Sequence, residues 1–353
     1  VNDDPTPEAV IDLAALRANV AVLRDRIAPA QVMLAVKADA YGHGLIEVAR
    51  AGIEAGATSL AVLDVPTGLA LRAAGLRVPM LAWLHGTATD FRSAIDEDVD
   101  LGISALWQLE AIAAAGATRT AALHLKVDTG LSRNGATRAE WPDLVRAAVA
   151  LQDAGVARIR AVWSHLADAS VEEDEAALSR FLESAEIAED IAGPIELRHL
   201  AASSAGWRMP QARFDLVRFG IAAYGVSPFD DSTGSELGLR PVMSLCAPVI
   251  GVRQGAVGLV RIAAGYADGV PTIGIPRARV LLSGHLVPLV RVEANSTLVD
   301  AGSLAVREGD IATFFGAGDA GEPTAEKWAD WAQTIADEIL TGVPSRIPRR
   351  FVN

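Results

Sequence analysis

The order of apolar runs predicts an α/β protein, a (β/α)8 (TIM-type) barrel followed by a mostly antiparallel β domain. Three observations carry that expectation. Eight short apolar runs, at residues 32–36, 60–63, 78–84, 99–103, 122–127, 159–163, 196–201 and 216–219, alternate with helical patterns. Strands covered on both faces by crossover helices read as such runs, and eight of them are enough to close a barrel. Beyond about residue 235 the pattern changes. Runs at 249–252, 259–264, 280–282, 286–292 and 311–315 are split by Gly and Pro, as in an antiparallel domain. Finally, 353 residues exceed what one core usually holds, so two domains are expected, 10–235 and 236–353.

Individual elements follow from local signals. Thr137 with Glu140, and Ser170 with Glu173, have capping-box spacing, while Gly75 and Gly155 fall where helices should stop. One amphipathic helix is expected over 325–340, before a proline-containing tail. The early Val10-Ile11-Asp12-Leu13 reads as a strand that takes residues 1–13 into the second domain. No apolar run has the length of a membrane span, and a net charge of −13 argues against nucleic acid as a partner. The single cysteine, Cys246, excludes an internal disulfide. With a polar opening segment that lacks an export pattern, it points to the cytoplasm. His43, His85, His124, His199 and His285 lack metal-ligand spacing and read as structural, so no metal is expected.

The chemistry-bearing residues fall just after the predicted strands, where a barrel collects its functional groups. Lys37 closes the first run and opens Lys37-Ala38-Asp39-Ala40-Tyr41-Gly42-His43-Gly44. A lysine amine at the lip of a buried strand suits Schiff-base chemistry, although a lone lysine there more often snorkels outward. The fifth run leads into Lys126-Val127-Asp128-Thr129-Gly130-Leu131-Ser132-Arg133 and the sixth into Ser164-His165. The seventh leads into Ser203-Ser204, and the eighth carries Arg218-Phe219-Gly220-Ile221. Loops after the last two barrel strands often bind phosphate, which suits Ser204 and the small residues around Gly220.

The nonapeptide from Val36 and the four later motifs, in this order, resemble the alanine racemase family over nearly the whole chain. The resemblance implies pyridoxal 5′-phosphate (PLP) as cofactor, bound to Lys37, which also acts as base on the D side of the substrate. Tyr41, Ser204 and the amides of Gly220 and Ile221 would hold the phosphate. His165 would lie near the cofactor ring, and Arg218 would hydrogen-bond its nitrogen. Lys37, Arg218 and His165 are thus the catalytic set. Arg133 would face the substrate carboxylate, Tyr266 in Gly265-Tyr266-Ala267-Asp268-Gly269 would line the entry, and Lys126 would be open to carbamylation. The expected assembly is a homodimer acting on a small amino acid, interconverting L- and D-alanine.

The sequence departs from the family in its second half. The family's second base, a tyrosine, lies between a Met-Ser-Leu motif and Gly-Tyr-Ala-Asp-Gly. Here these are Met243-Ser244-Leu245 and Gly265-Tyr266, and the segment 246–264 between them holds no tyrosine. Its polar groups include Cys246, Arg253, Gln254 and Arg261, and Cys246 reads as structural. The loop that normally carries Met-Asp is Glu293-Ala294-Asn295-Ser296, and Ser345 stands where a tyrosine often precedes the terminal Arg-x-Pro-Arg. Three readings follow: an amino-acid racemase of altered strength, a PLP enzyme with Lys37 as sole base acting on a different or larger amino acid, and a PLP-binding homologue without activity.

Overall fold

The computed structural model describes residues 6–253 and 258–353, so Gln254 lies outside the described residues. The chain divides into two compact units, one of Val20–Lys37 and Gly52–Gly220, the other of Val1–Asn19, Ala38–Ala51 and Ile221–Asn353. In chain order the first strand is β1 (Glu8–Asp12), which belongs to the second of these.

The first unit is a parallel barrel. Its strands are β2 (Gln31–Ala35), β3 (Ser59–Val62), β4 (Met80–Ala82), β5 (Asp100–Ile103) and β6 (Ala121–Lys126). They continue with β7 (Ala157–Trp163), β8 (Leu197–His199) and β9 (Leu216–Phe219). Sheet order runs β8-β7-β6-β5-β4-β3-β2-β9, so sequence neighbours pair and β9 returns to β2. Backbone bonds from Asp215 N to Arg198 O (3.2 Å) and from Arg218 N to Ala201 O (3.1 Å) close the ring. Each of the eight expected runs overlaps one of these strands. Most of their leucines and valines, among them Leu34, Leu60 and Val162, are fully buried. The helix signals work as expected: Ser170 accepts the Glu173 N–H at 3.2 Å, and Gly75 and Gly155 follow helix ends with φ of 88° and 71°.

The second unit is built on β10 (Met243–Arg253), β11 (Leu259–Ile262), β12 (Arg279–Leu282), β13 (His285–Val292), β14 (Thr297–Asp300), β15 (Ile311–Phe315) and β16 (Arg349–Val352). The sheet order is β11-β14-β13-β12-β15-β10-β1-β16, with β10 also pairing β11. Among the described residues, only the β1–β16 pair of this sheet is parallel. The early strand therefore does pair with β10, through Glu8↔Cys246 to Ile11↔Met243. The run at 249–252 proves to be the end of a longer strand, because Met243–Pro248 alternates buried and part-exposed positions and pairs with β1 and β15.

The expected single helix over 325–340 is corrected. Two helices form, Ala325–Ala332 and Ala336–Thr341, separated at Gln333, whose φ of 56° is left-handed. The break lets Ile335 N-cap the second helix while Trp328 buries its indole and donates to the Phe314 carbonyl. Apolar positions recur on both sides of this three-residue break, Gln333–Ile335, so the pattern hid it.

Candidate active site

Because all eight barrel strands are parallel, their C-terminal ends open on one face. That topology gathers Lys37, Lys126, Arg133, His165, Ser204, Arg218 and Gly220 of the barrel unit. Arg218, on β9, is 7% exposed and organises the group. Its Nη1 donates to His199 Nδ1 at 3.0 Å, while Nη2 faces His165 Nδ1 (3.0 Å) and the carbonyls of Ser164 (2.8 Å) and Leu200 (2.9 Å). Every one of these acceptors is neutral. Burial draws the guanidinium pKa down to about 9, which still leaves it charged at neutral pH.

His165 is held well below the ordinary imidazole range, first by burial and then by Arg218, Arg133, Lys126 and Lys37. It is thus neutral, and accepting from Arg218 at Nδ1 places its proton on Nε2. Lys126, 4% exposed at the end of β6, has its ammonium 4.6 Å from the Trp163 ring centre. Burial, then Arg218 and Arg133, pushes its pKa down to about 8. The loop bearing Arg133 is shaped by Asp128, whose Oδ1 accepts the N–H groups of Gly130 and Ser132 at 3.0 Å. Gly135 permits the return: its φ is 133°, and a Cβ there would lie 2.7 Å from Asp128 N. After β8, the Ser203 hydroxyl accepts the Gly220 N–H at 3.3 Å, with Ser204 beside it at the start of helix Ser203–Arg208.

In the β-rich unit, the chain after Lys37 makes a left-handed turn, with φ of 52–54° at Ala38, Asp39, Ala40 and Tyr41. Left-handed residues cost about 1–2 kcal/mol each, so the turn must be held from outside. Gly42 N bonds Ala38 O at 2.9 Å, Gly44 N bonds Asp39 O at 3.0 Å, and the His43 ring Nδ1 reaches the carbonyls of Ala40 (3.0 Å) and Tyr41 (2.9 Å). Arg349 clamps the Gly42 carbonyl with Nε and Nη2 at 3.0 and 2.9 Å. Tyr41 lies buried with its ring centre 4.8 Å from that of Tyr224, and burial raises its phenol. Ile221 opens the short turn Ile221–Tyr224.

The same unit carries the segments 246–264 and 293–296. β10 and β11 form a hairpin, paired from Val249↔Ile262 to Arg253↔Leu259. Arg261 on β11 pairs with the Glu293 carboxylate and donates to the Ser296 hydroxyl at 2.7 Å, and Arg291 also binds Glu293. The backbone of Glu293 and Ala294 accepts the N–H groups of Tyr266 and Ala267, each at 2.9 Å. Tyr266 itself is 57% exposed. Cys246 is part-buried and within 3.7 Å of the Thr313 hydroxyl, and burial raises its thiol pKa, so it is poorly suited to act as a base.

Four residues escaped the sequence reading as members of this neighbourhood. Trp163 stacks on His199 at 5.4 Å and 15°, with Lys126 and Arg218 on its ring. His199, His124 and Asp100 continue inward from Arg218. The available signal was a titratable residue on each of three strands that should otherwise be apolar. Among the described residues, no cluster of His, Cys, Asp and Glu has a metal-binding arrangement, and no helix is long and apolar enough to cross a membrane.

A parallel barrel carrying an amine, three further cations and paired serines at its strand ends, in one chain with an antiparallel β unit, is a two-part α/β architecture suited to an anionic, amine-reactive ligand. The comparisons narrow the class. Residues 11–228 match the alanine racemase N-terminal domain and 250–351 the C-terminal domain. Alanine racemases of Thermobifida fusca and Streptomyces coelicolor are 41% and 42% identical over 98% of this chain, covering 97% and 95% of their own lengths. The crystal structure of alanine racemase from Streptomyces lavendulae superposes with a TM-score of 0.95 at 40% identity, over 99% of this chain and 98% of that one. The chain belongs to the alanine racemase family. Enzymes of this family depend on PLP.

Proposed function

We propose that this protein is a PLP-dependent amino-acid racemase that interconverts L- and D-alanine. The observation that carries the reading is Arg218: a buried cation whose hydrogen-bond partners among the described residues are neutral, near the end of the last barrel strand, in a cluster with Lys37, Lys126 and Arg133. The donor set fits the cofactor. Lys37 offers an amine to an aldehyde, Ser204 and the Gly220 amide offer donors to a phosphate, and a surplus of cations suits an anionic ligand. By the family motif, Tyr41 and the Ile221 amide share the phosphate.

The chemistry PLP supplies when bound is electron withdrawal that acidifies the Cα–H of an attached amino acid. Lys37 then takes and returns that proton on one face. Arg218, as a fixed positive donor, would face the ring nitrogen and keep it unprotonated, which would limit electron withdrawal and favour proton return over side reactions. His165, neutral and accepting from Arg218, braces that guanidinium beside the ring. Arg133 receives the substrate carboxylate, and Tyr266 narrows the entry. Lys126, with its pKa near 8, keeps enough free amine to react with carbon dioxide, and the carbamate would be an anionic partner for Arg133. The barrel domain, 10–235, holds the cofactor. The domain 236–353 supports pairing into a homodimer, and the site of action is the cytoplasm.

A specific observation favours a second reading. The β10–β11 hairpin carries no tyrosine among its described residues, and tyrosine is absent from 246–264 altogether. The alignments to the two relatives span 367 and 377 positions, longer than this chain of 353 residues, so those relatives hold segments this one lacks. Lys37 is then the sole base, working on one face or on a larger amino acid. Loss of a general base costs on the order of 10²–10⁴-fold in rate, which leaves room for slow racemisation through water.

The test is Cα exchange in D2O with the PLP-loaded protein, given L- and D-alanine separately and followed by NMR. Exchange of both isomers with interconversion supports racemisation. Exchange of the D isomer alone, without L product, supports the one-base reading. PLP bound with no exchange of any amino acid would overturn both.

A further inference from the structure

A line of buried polar groups crosses the barrel interior away from the site. Arg218 Nη1 donates to His199 Nδ1 at 3.0 Å, His199 Nε2 meets His124 Nδ1 at 3.0 Å, and His124 Nε2 meets Asp100 Oδ2 at 3.2 Å. Arg160 Nη1 closes the line on the same carboxylate oxygen at 2.6 Å. His124, His199 and Asp100 are 1%, 0% and 4% exposed, so water cannot substitute for a missing partner. Asp100 opens β5, at the barrel end opposite the strand tips, and Arg218 lies on β9.

The charges at the two ends leave this line one proton arrangement. A guanidinium only donates, so His199 Nδ1 must be bare and its proton must sit on Nε2. That N–H points at His124 Nδ1, which must therefore also be bare. His124 then carries its proton on Nε2, aimed at a carboxylate that only accepts. Protonating either imidazole a second time would set two N–H groups against each other. Burial, followed by Arg218 and His124, holds His199 well below the usual imidazole range, in agreement with this arrangement.

We propose that Asp100 and His124 are positioning residues for Arg218: they lock His199 in the tautomer that accepts from the guanidinium, and so fix the orientation in which Arg218 meets the cofactor. Asp100 acts over two imidazoles, from the far end of the barrel. Arg160 and, at 3.4 Å from its Nε, Glu196 anchor that end. The tautomer claim stands on the chain alone, while its consequence for the cofactor rests on the function proposed above.

The experiment has two arms on the full-length protein. Nitrogen-15 NMR of the imidazoles, assigned with single His→Gln variants, should show His124 and His199 both protonated on Nε2 only. A proton on Nδ1 of either ring overturns the proposal, whether or not any variant folds. PLP titration of Asp100→Leu and Asp100→Asn supplies the second arm. The leucine strands the His124 N–H and frees the tautomers, so PLP should bind about tenfold more weakly, the scale of one hydrogen bond to a charged group, with a shifted cofactor absorption maximum. The asparagine Oδ1 still accepts, so Asp100→Asn should stay within about twofold of the parent. A folded Asp100→Leu with unchanged affinity and spectrum overturns the positioning role. Failure of the parent chain to bind PLP would remove the proposed function and leave the NMR result standing.

Discussion

Two arginines, each at the centre of a polar cluster, teach opposite lessons. Arg218 in the barrel is buried, and among the described residues it bonds two imidazoles and two carbonyls. Arg261 in the β-rich unit has a side chain 38% exposed and pairs with a carboxylate in contact with solvent. Replacing the first orphans several buried acceptors, each worth about 1–3 kcal/mol. Replacing the second loses an ion pair that water largely screens, worth about 0–1 kcal/mol. A polar cluster weighs on the fold only where water cannot replace its partners.

Substitutions can sharpen or break that contrast. The largest effect should come from Lys37→Ala, with loss of covalently held PLP absorbance and an exchange rate lower by about 10²–10⁴-fold. Retained exchange would remove Lys37 from the reaction. Arg218→Leu should lower unfolding stability by about 3 kcal/mol in urea, even without cofactor, because His165 and His199 lose their donor. Gly42→Ala should cost roughly 1–3 kcal/mol, since its φ is 78° and a Cβ would lie 2.8 Å from Leu340 O. A fall in melting temperature checks this.

A smaller effect, and one that depends on pH, is expected at Lys126. Its folded pKa near 8 against 10.5 means that the unfolded chain binds more protons between those values. Stability from this site therefore rises as pH climbs from about 8 to 10.5, and the full penalty applies below 8. Lys126→Met should be more stable than the parent by about 1–3 kcal/mol at pH 7 in bicarbonate-free buffer, with the gap closing by pH 10.5. Smallest of all, Arg261→Ala should change stability by less than about 1 kcal/mol. A larger loss would mean that the exposed corner matters to the fold as the buried cluster does.

The barrel was legible because parallel strands are buried on both faces and must be apolar, so the runs at 32–36 and 216–219 mark β2 and β9 within a residue. Lys37, His165 and Arg218 were legible because each follows or ends such a run. In the β-rich unit, β14 and β16 went unread. Thr297–Asp300 and Arg349–Val352 are four residues each, and while β14 pairs with the adjacent β13, its other partner β11 and the β1 partner of β16 lie farther off in sequence. The left-handed turn at 38–41 was also invisible. Alanine and aspartate carry no mark of it, and the groups that hold it include Arg349, some three hundred residues away.

By itself the sequence determined the succession of barrel strands, the family and the residue types at the strand ends, because burial and motif are written locally. The tertiary structure alone decided protonation and geometry: which nitrogen of His199 faces Arg218, how far burial depresses Lys126, and that Arg261 of β11 meets Glu293 and Ser296. Those properties depend on desolvation and on partners brought together by barrel closure and sheet pairing, and neither exists until the chain has folded.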